Sequence, residues 1–291
     1  MTTAANPPDI AAFFDEKTFT VSYVVSDPAG DQAVIIDPVL DYAPSSGRTS
    51  TASADKLVAY VNERRLTVGW SLETHAHADH LTAAQYIKQK LGAGVAIGAH
   101  ISAVQQTFSE LFNLGGAFPA DGSQFDRLLA GGDTLEFGGL TLSVMHTPGH
   151  TPACSTYVIG DAAFVGDTIF QPDLGTARCD FPGGDAATLY RSIRRILSLP
   201  PETRIFTCHD YGPNGRPYAW ESTVAAQRAS NVHVRDGIDQ AAFVKTRAAR
   251  DRALALPGLI IPALQVNIRA GALPPAEDNG VSYLKIPLNR L

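Results

Sequence analysis

Thr74-His75-Ala76-His77-Ala78-Asp79-His80 follows directly on the apolar run Thr67 to Leu72. Three of the chain's eight histidines and one aspartate fall within six positions. A strand that runs out into such a loop and then enters a helix, expected from His80 to Leu91, holds nitrogen and oxygen donors at a rigid edge. Neutral imidazole is the commonest protein metal ligand, and imidazole with carboxylate suits zinc and iron. Asp79 alone has a plain explanation as a helix N-cap. Capping does not explain three histidines, so the stretch reads as a metal site.

Three later apolar strands also end in potential ligands. Leu140 to Val144 leads to His146-Thr147-Pro148-Gly149-His150, Ala162 to Val165 to Gly166-Asp167-Thr168, and Arg204 to Thr207 to Cys208-His209-Asp210-Tyr211. Singly each is an ordinary turn; together they describe strand ends converging on one edge, as in other α/β sites. Gly149 and Gly166 let the backbone turn tightly there without a Cβ clash.

Around these strands, Thr18 to Val25 and Gln32 to Ile36 read as a hairpin whose second strand Asp37-Pro38 closes, 42–51 as a loop and Ser53 to Arg65 as a helix. Val95 to Ala99 reads as a strand and Ile101 to Leu111 as a helix. In the second half, Thr134 to Phe137 and Ser155 to Ile159 are further strands, and a helix spans Ala186 to Leu199. Both halves pair strands with helices, which predicts an α/β fold: a four-layer αββα sandwich, two sheets face to face with helices outside. From about residue 218 helices dominate (Glu221 to Ala229, Asp239 to Leu254), ending in a Pro-rich tail. Residues 1–291 are read as one domain with this helical C-terminal extension.

Composition narrows the function. The net charge of −6, from 23 Lys+Arg against 29 Asp+Glu without a basic block, predicts no nucleic-acid partner. No apolar run approaches the roughly 20 residues that span a bilayer. The N-terminus carries acids and prolines where a signal peptide needs basic and apolar residues, so a cytoplasmic protein is expected. Cys154, Cys179 and Cys208, odd in number and without a CxxC pair, fit a reducing compartment and read as buried, inert thiols.

The order HxHxDH, TPGH, GD and strand-end His resembles the metallo-β-lactamase-fold superfamily over roughly Ser22 to Tyr211. In binuclear members of that superfamily, His75, His77 and His150 would form one site. Asp79, His80 and His209 would form the other, bridged by Asp167. All seven positions are filled. The segment Gly175-Thr176-Ala177-Arg178-Cys179-Asp180-Phe181, with Cys208 to Tyr211, looks like the persulfide dioxygenases, the family of the ethylmalonic encephalopathy protein. The chain length and Val266 to Gly271 are closer to its bacterial branch.

That resemblance implies one Fe(II) per chain, held by His75, His150 and Asp167, with three positions open. It implies oxidation of glutathione persulfide by O2 and water to sulfite and glutathione. His77, Asp79, His80 and His209 would hydrogen-bond around the metal. Tyr211 would donate to a bound ligand, and Arg178 with Asp180 would brace the loop over the site. Arg178, Arg216 and Arg269 are candidates for a glutathione carboxylate, although solvated surface arginine is the simpler reading of the last two. His100, His146 and His233 are read as structural. The alternative is a two-zinc thioester hydrolase similar to glyoxalase II, acting through a bridging hydroxide. A β-lactamase and a non-enzymatic metal-buffering module are weaker readings. Apolar residues from Phe108 to Phe118 offer a surface for a homodimer.

Overall fold

The computed structural model describes residues 7–290. In chain order the strands are β1 (Asp9–Asp15), β2 (Thr20–Ser26), β3 (Gln32–Ile36), β4 (Val39–Ala43), β5 (Arg48–Ser50), β6 (Thr67–Glu73), β7 (Leu81–Thr82), β8 (Gly94–Gly98), β9 (Arg127–Leu129), β10 (Thr134–Phe137), β11 (Leu140–His146), β12 (Ser155–Ile159), β13 (Ala162–Phe164), β14 (Arg204–Phe206) and β15 (Glu221–Thr223). The helices are α1 (Ala52–Arg64), α2 (Ala84–Leu91), α3 (Ile101–Leu111), α4 (Ala186–Ile196), α5 (Val224–Ser230), α6 (Gln240–Asp251) and α7 (Ile260–Asn267). One sheet has the order β1-β2-β3-β6-β8-β9, the second runs β10 to β15 in sequence, and β5-β4-β7 form a small third sheet.

Alternation along the strands produces the layers. Val21, Tyr23 and Val25 of β2 face the space between the sheets, while Val24 faces the helices; Val34 and Ile36 of β3 face in, and Ala33 and Ile35 out. Leu135, Phe137, Leu142, Tyr157, Phe164 and Phe206 of the second sheet fill the same inter-sheet core. Leu57 and Val61 of α1 and Ile87 of α2 cover part of the first sheet's outer face, and α3 with α7 packs on Val95 and Ile97. Leu189 and Ile193 of α4 and Phe243 of α6 cover the second sheet through Ala163, Val165 and Ile205. The arrangement is the expected αββα sandwich.

Several elements differ from the sequence reading. The 42–51 loop contains β5 and the end of β4, which pair with each other. The helix after the ligand loop starts at Ala84, not His80, because Leu81 and Thr82 pair with Leu40 and Val39 as strand. Asp79 therefore caps nothing. Glu221 to Thr223 is not helix but edge strand β15, paired with β14. Helix α5 starts only after it, with Thr223 Oγ1 accepting from the Ala226 amide at 3.1 Å. The Pro-rich tail holds the buried helix α7. Within the stretch expected to offer a dimer surface, Phe108, Phe112 and Phe118 are buried, Leu111 and Leu114 half-buried and Ala117 exposed.

Candidate metal centre

The ligand loop leaves β6 of the first sheet, whereas His150, Asp167 and His209 follow β11, β13 and β14 of the second. The centre therefore depends on how the sheets are joined at this edge. Joining is done by hydrogen bonds to backbone carbonyls: the Ser155 amide donates to Thr74 O at 2.9 Å, Tyr157 Oη to Glu73 O at 2.7 Å, and the Val21 amide to Cys208 O at 2.7 Å. Two glycines make the close approaches possible. A Cβ on Gly149 (φ +139°) would lie 2.3 Å from Leu189 Cα, and one on Gly166 (φ +51°) 2.5 Å from Thr74 Oγ1.

His75, His150 and Asp167 bring one donor atom each to within 4.8 Å of one another. His77, Asp79, His80 and His209 form a second group of the same compactness. His209 Nε2 lies 3.0 Å from Asp79 Oδ2 and 3.4 Å from Asp167 Oδ1, so Asp167 stands between the groups.

In each imidazole one ring nitrogen is tied to a polar partner, which leaves the other with a lone pair. His75 Nδ1 meets Thr74 Oγ1 at 3.1 Å, a hydroxyl whose own proton goes to Asp37 Oδ2. His150 Nδ1 donates to the Arg178 carbonyl at 2.7 Å, and His209 Nδ1 to Phe19 O at 3.1 Å. His80 Nδ1 reaches Thr20 Oγ1 at 3.3 Å. In His77 the roles reverse: Nε2 donates to Asp37 Oδ1 at 3.0 Å. The atoms left over, His75 Nε2, His77 Nδ1, His80 Nε2, His209 Nε2, Asp79 Oδ2 and Asp167 Oδ1, are buried and have no hydrogen-bond partner. Orphaned buried polar atoms cost about 1–3 kcal/mol each, so gathering six of them in one place favours a cation among them. The donor set fits a metal, and outer partners that fix the tautomer are what metal-ligating histidines require.

Charge follows the same pattern. Burial pushes the Asp79 carboxyl up, but His209 and then His80 hold it well below the usual carboxylate range. Burial, and next the His77 and His150 rings, drive His75 well below ordinary imidazole, to the neutral form a ligand needs. Asp37, which sequence reading treated only as the end of a strand, is the main residue it missed. Buried at φ +49°, Asp37 accepts from the Thr74 amide, the Thr74 hydroxyl and His77. Asn267 was also missed; its Nδ2 donates to the carbonyls of His77 and His80, both at 2.8 Å.

Comparison with known proteins identifies the lineage. The metallo-beta-lactamase superfamily profile matches residues 16–209. The chain belongs to that superfamily. It is 56% identical to a probable metallo-hydrolase of Burkholderia pseudomallei, over 97% of this chain and 99% of that one. It is 48% identical to "Glyoxylase B2" of Dictyostelium discoideum, over 99% of both chains. Identity to the mitochondrial persulfide dioxygenase ETHE1 of Homo sapiens is 31%, over 90% of this chain and 88% of that one. Other relatives at 52% and 53% identity are longer, and the chain spans 66% of their length. Among solved structures, ETHE1 from Myxococcus xanthus superposes with a TM-score of 0.72 at 29% identity, covering 91% of this chain and 100% of the other.

In this superfamily member the centre opens into a cavity of about 590 Å3. Asp79, His150 and Asp167 reach its wall, whereas His75, His77, His80 and His209 are buried behind them. Tyr211 stands at the mouth, stacked on the His209 ring at 6.0 Å, and partial burial pushes its phenol up to about 12. Arg178 forks onto Asp180 at 2.6 and 2.7 Å, gives Nη1 to Ala255 O at 2.6 Å and lies over Phe181. These contacts engage its Nε, Nη1 and Nη2, and its carbonyl orients His150. Arg216 likewise forks onto both Asp173 and Asp210, which leaves it no free face for a substrate. Arg269 lines a different cavity altogether. The other cations lining the metal cavity are Lys17, loosely paired with Asp41 at 3.8 Å, Arg247, paired with Asp251 at 2.7 Å, and Arg250, which forms no ion pair among the described residues. Nothing in the local sequence marks them, because all three reach the cavity from elements distant from every motif. Burial pushes Cys154 and Cys179 up to about 12, as expected of inert thiols.

Proposed function

We propose that this chain is a persulfide dioxygenase that binds one Fe(II) on His75, His150 and Asp167. It oxidises glutathione persulfide with O2 and water to glutathione and sulfite. The observation that carries the reading is the way the centre opens: the group of two imidazoles and one carboxylate reaches the cavity through His150 and Asp167, with His75 buried behind them, while the other group reaches it through Asp79 alone. Iron bound there would supply electrons for dioxygen and coordination positions beyond the three protein ligands. The protein's own part is to place and shield. The Arg178 carbonyl aims His150. Phe170, Leu174 and Phe181 line the cavity with apolar surface that excludes water from the reacting sulfur. Lys17 and Arg250 are placed to meet the glutathione carboxylates, and the Tyr211 phenol to donate a hydrogen bond. Similarity to ETHE1 proteins in sequence and structure supports this reading.

The second reading, a two-zinc thioester hydrolase, is favoured by the compactness of the His77, Asp79, His80 and His209 group and by the higher identity to relatives named as a metallo-hydrolase and a glyoxylase. Metal content of anaerobically prepared protein, measured beside oxygen uptake on glutathione persulfide, separates them. We expect a single iron per chain with oxygen consumption. Two zinc ions, thioester hydrolysis and no oxygen uptake would overturn the dioxygenase. His209→Ala should retain iron in the first case and dismantle the centre in the second.

A further inference from the structure

Arg269 and Lys285 face a second cavity of about 590 Å3, which shares no lining residue with the metal cavity. Its walls combine apolar surface from Leu114, Phe118 and Leu273 with amides from Gln85 and Gln265. Arg269 lies with its guanidinium carbon 4.7 Å from the centre of the Phe118 ring. Among the described residues the guanidinium's one protein hydrogen bond runs from Nη1 to Gln265 O at 2.6 Å, and it forms no ion pair. A guanidinium carries five N–H donors in a fixed fork, so most of its hydrogen-bonding capacity is unused. Burial pulls its pKa down, and Glu277, which lines the same cavity, forms no ion pair with it among the described residues. Lys285 Nζ is held nearby by Asn113 O at 2.8 Å. A cation kept half-buried on an aromatic face without a counter-charge costs stability unless something else supplies the charge. Concave volume, apolar walls and a few converging polar groups are the features of a small-molecule site.

We propose that this second cavity is a binding site for a small organic carboxylate, its carboxylate held by the Arg269 fork with Lys285 adding charge and its apolar body lying against Phe118 and Leu273. The flat guanidinium suits two-point recognition of a carboxylate, and the volume suits a ligand of one ring or a short chain.

The probe is 4-(trifluoromethyl)benzoate, followed by fluorine NMR titration of the full chain, with 4-(trifluoromethyl)benzamide as the uncharged comparison. We expect saturable benzoate binding that weakens about tenfold or more in Arg269→Gln, recovers in part in Arg269→Lys and persists after chelation of metal. Ala117→Trp, at an exposed wall position, should exclude the probe by bulk without touching Arg269. Its thermal unfolding, measured alongside, confirms that the fold is intact. No saturable binding, equal binding by Arg269→Gln, equal binding of the benzamide, or loss of binding on metal removal would each overturn the assignment. The last outcome would place the probe on the metal centre instead.

Discussion

Asp37 holds His77 through one oxygen and Thr74 through both its amide and its hydroxyl. One buried carboxylate therefore fixes both the start of the ligand loop and the tautomer of an imidazole. Asp37→Asn sets an amide NH2 against donors on at least one side. We expect metal affinity to fall about 10- to 100-fold, measured by competition with a chromogenic chelator; unchanged affinity would remove Asp37 from the centre. The sequence displayed Asp37-Pro38 only as the end of a strand, since the partner that defines it lies 37 residues away. His233 behaves differently. Its Nδ1 accepts from the Thr176 amide at 3.0 Å, which requires the neutral ring, and burial with Arg247 beside it lowers its pKa to about 4. The unfolded chain takes up that proton near pH 6.5. The contribution of His233 is thus complete above that pH and is lost progressively as pH falls toward 4. Urea midpoints from pH 7.5 to 4.5 should fall more steeply in wild type than in His233→Gln; parallel slopes would refute the assignment.

Helix α7 illustrates why some elements escape a reading by periodicity. Ile260, Ala263, Leu264, Gln265, Val266 and Asn267 are all buried, so no polar stripe betrays a helical period, and Pro262 sits in the first turn, where proline is tolerated. Strands β5, β7 and β15 are two or three residues long, too short to display alternation. By contrast α4, with Leu189, Ile193 and Ile196 buried on one face, was plain in the sequence. Besides packing on α3 and β8, α7 supports the ligand loop. Asn267 donates to the carbonyls of His77 and His80 and accepts from the Thr82 amide at 2.9 Å. Asn267→Ala leaves three buried backbone groups unpaired at roughly 1–3 kcal/mol each, although neighbouring losses do not add fully. We expect a drop of roughly 3–5 kcal/mol in unfolding free energy, together with weaker metal binding. Loss of stability with metal affinity intact would mean that α7 supports the fold but not the centre.

For the whole molecule, the centre is a joint between two sheets, so metal should report on global stability. A ligand at a thousandfold excess over its Kd adds about 4 kcal/mol, which for a chain of this size is roughly 8–16 °C in melting temperature. Calorimetry before and after chelation should show a fall of that order, restored by adding metal back; an unchanged transition would mean that the donors are satisfied without a cation. No helix among the described residues is long and apolar enough to cross a membrane. What the sequence determined by itself was the order of the ligands, the layered α/β architecture and the superfamily, because strand alternation and strand-end turns are local properties. Only the tertiary structure decided which nitrogen of each histidine is free, that Asp37 and Asn267 hold the loop, and that Arg269 belongs to another cavity. Those outcomes rest on contacts spanning up to 190 residues, and they come into being only when two sheets and a late helix close on one another.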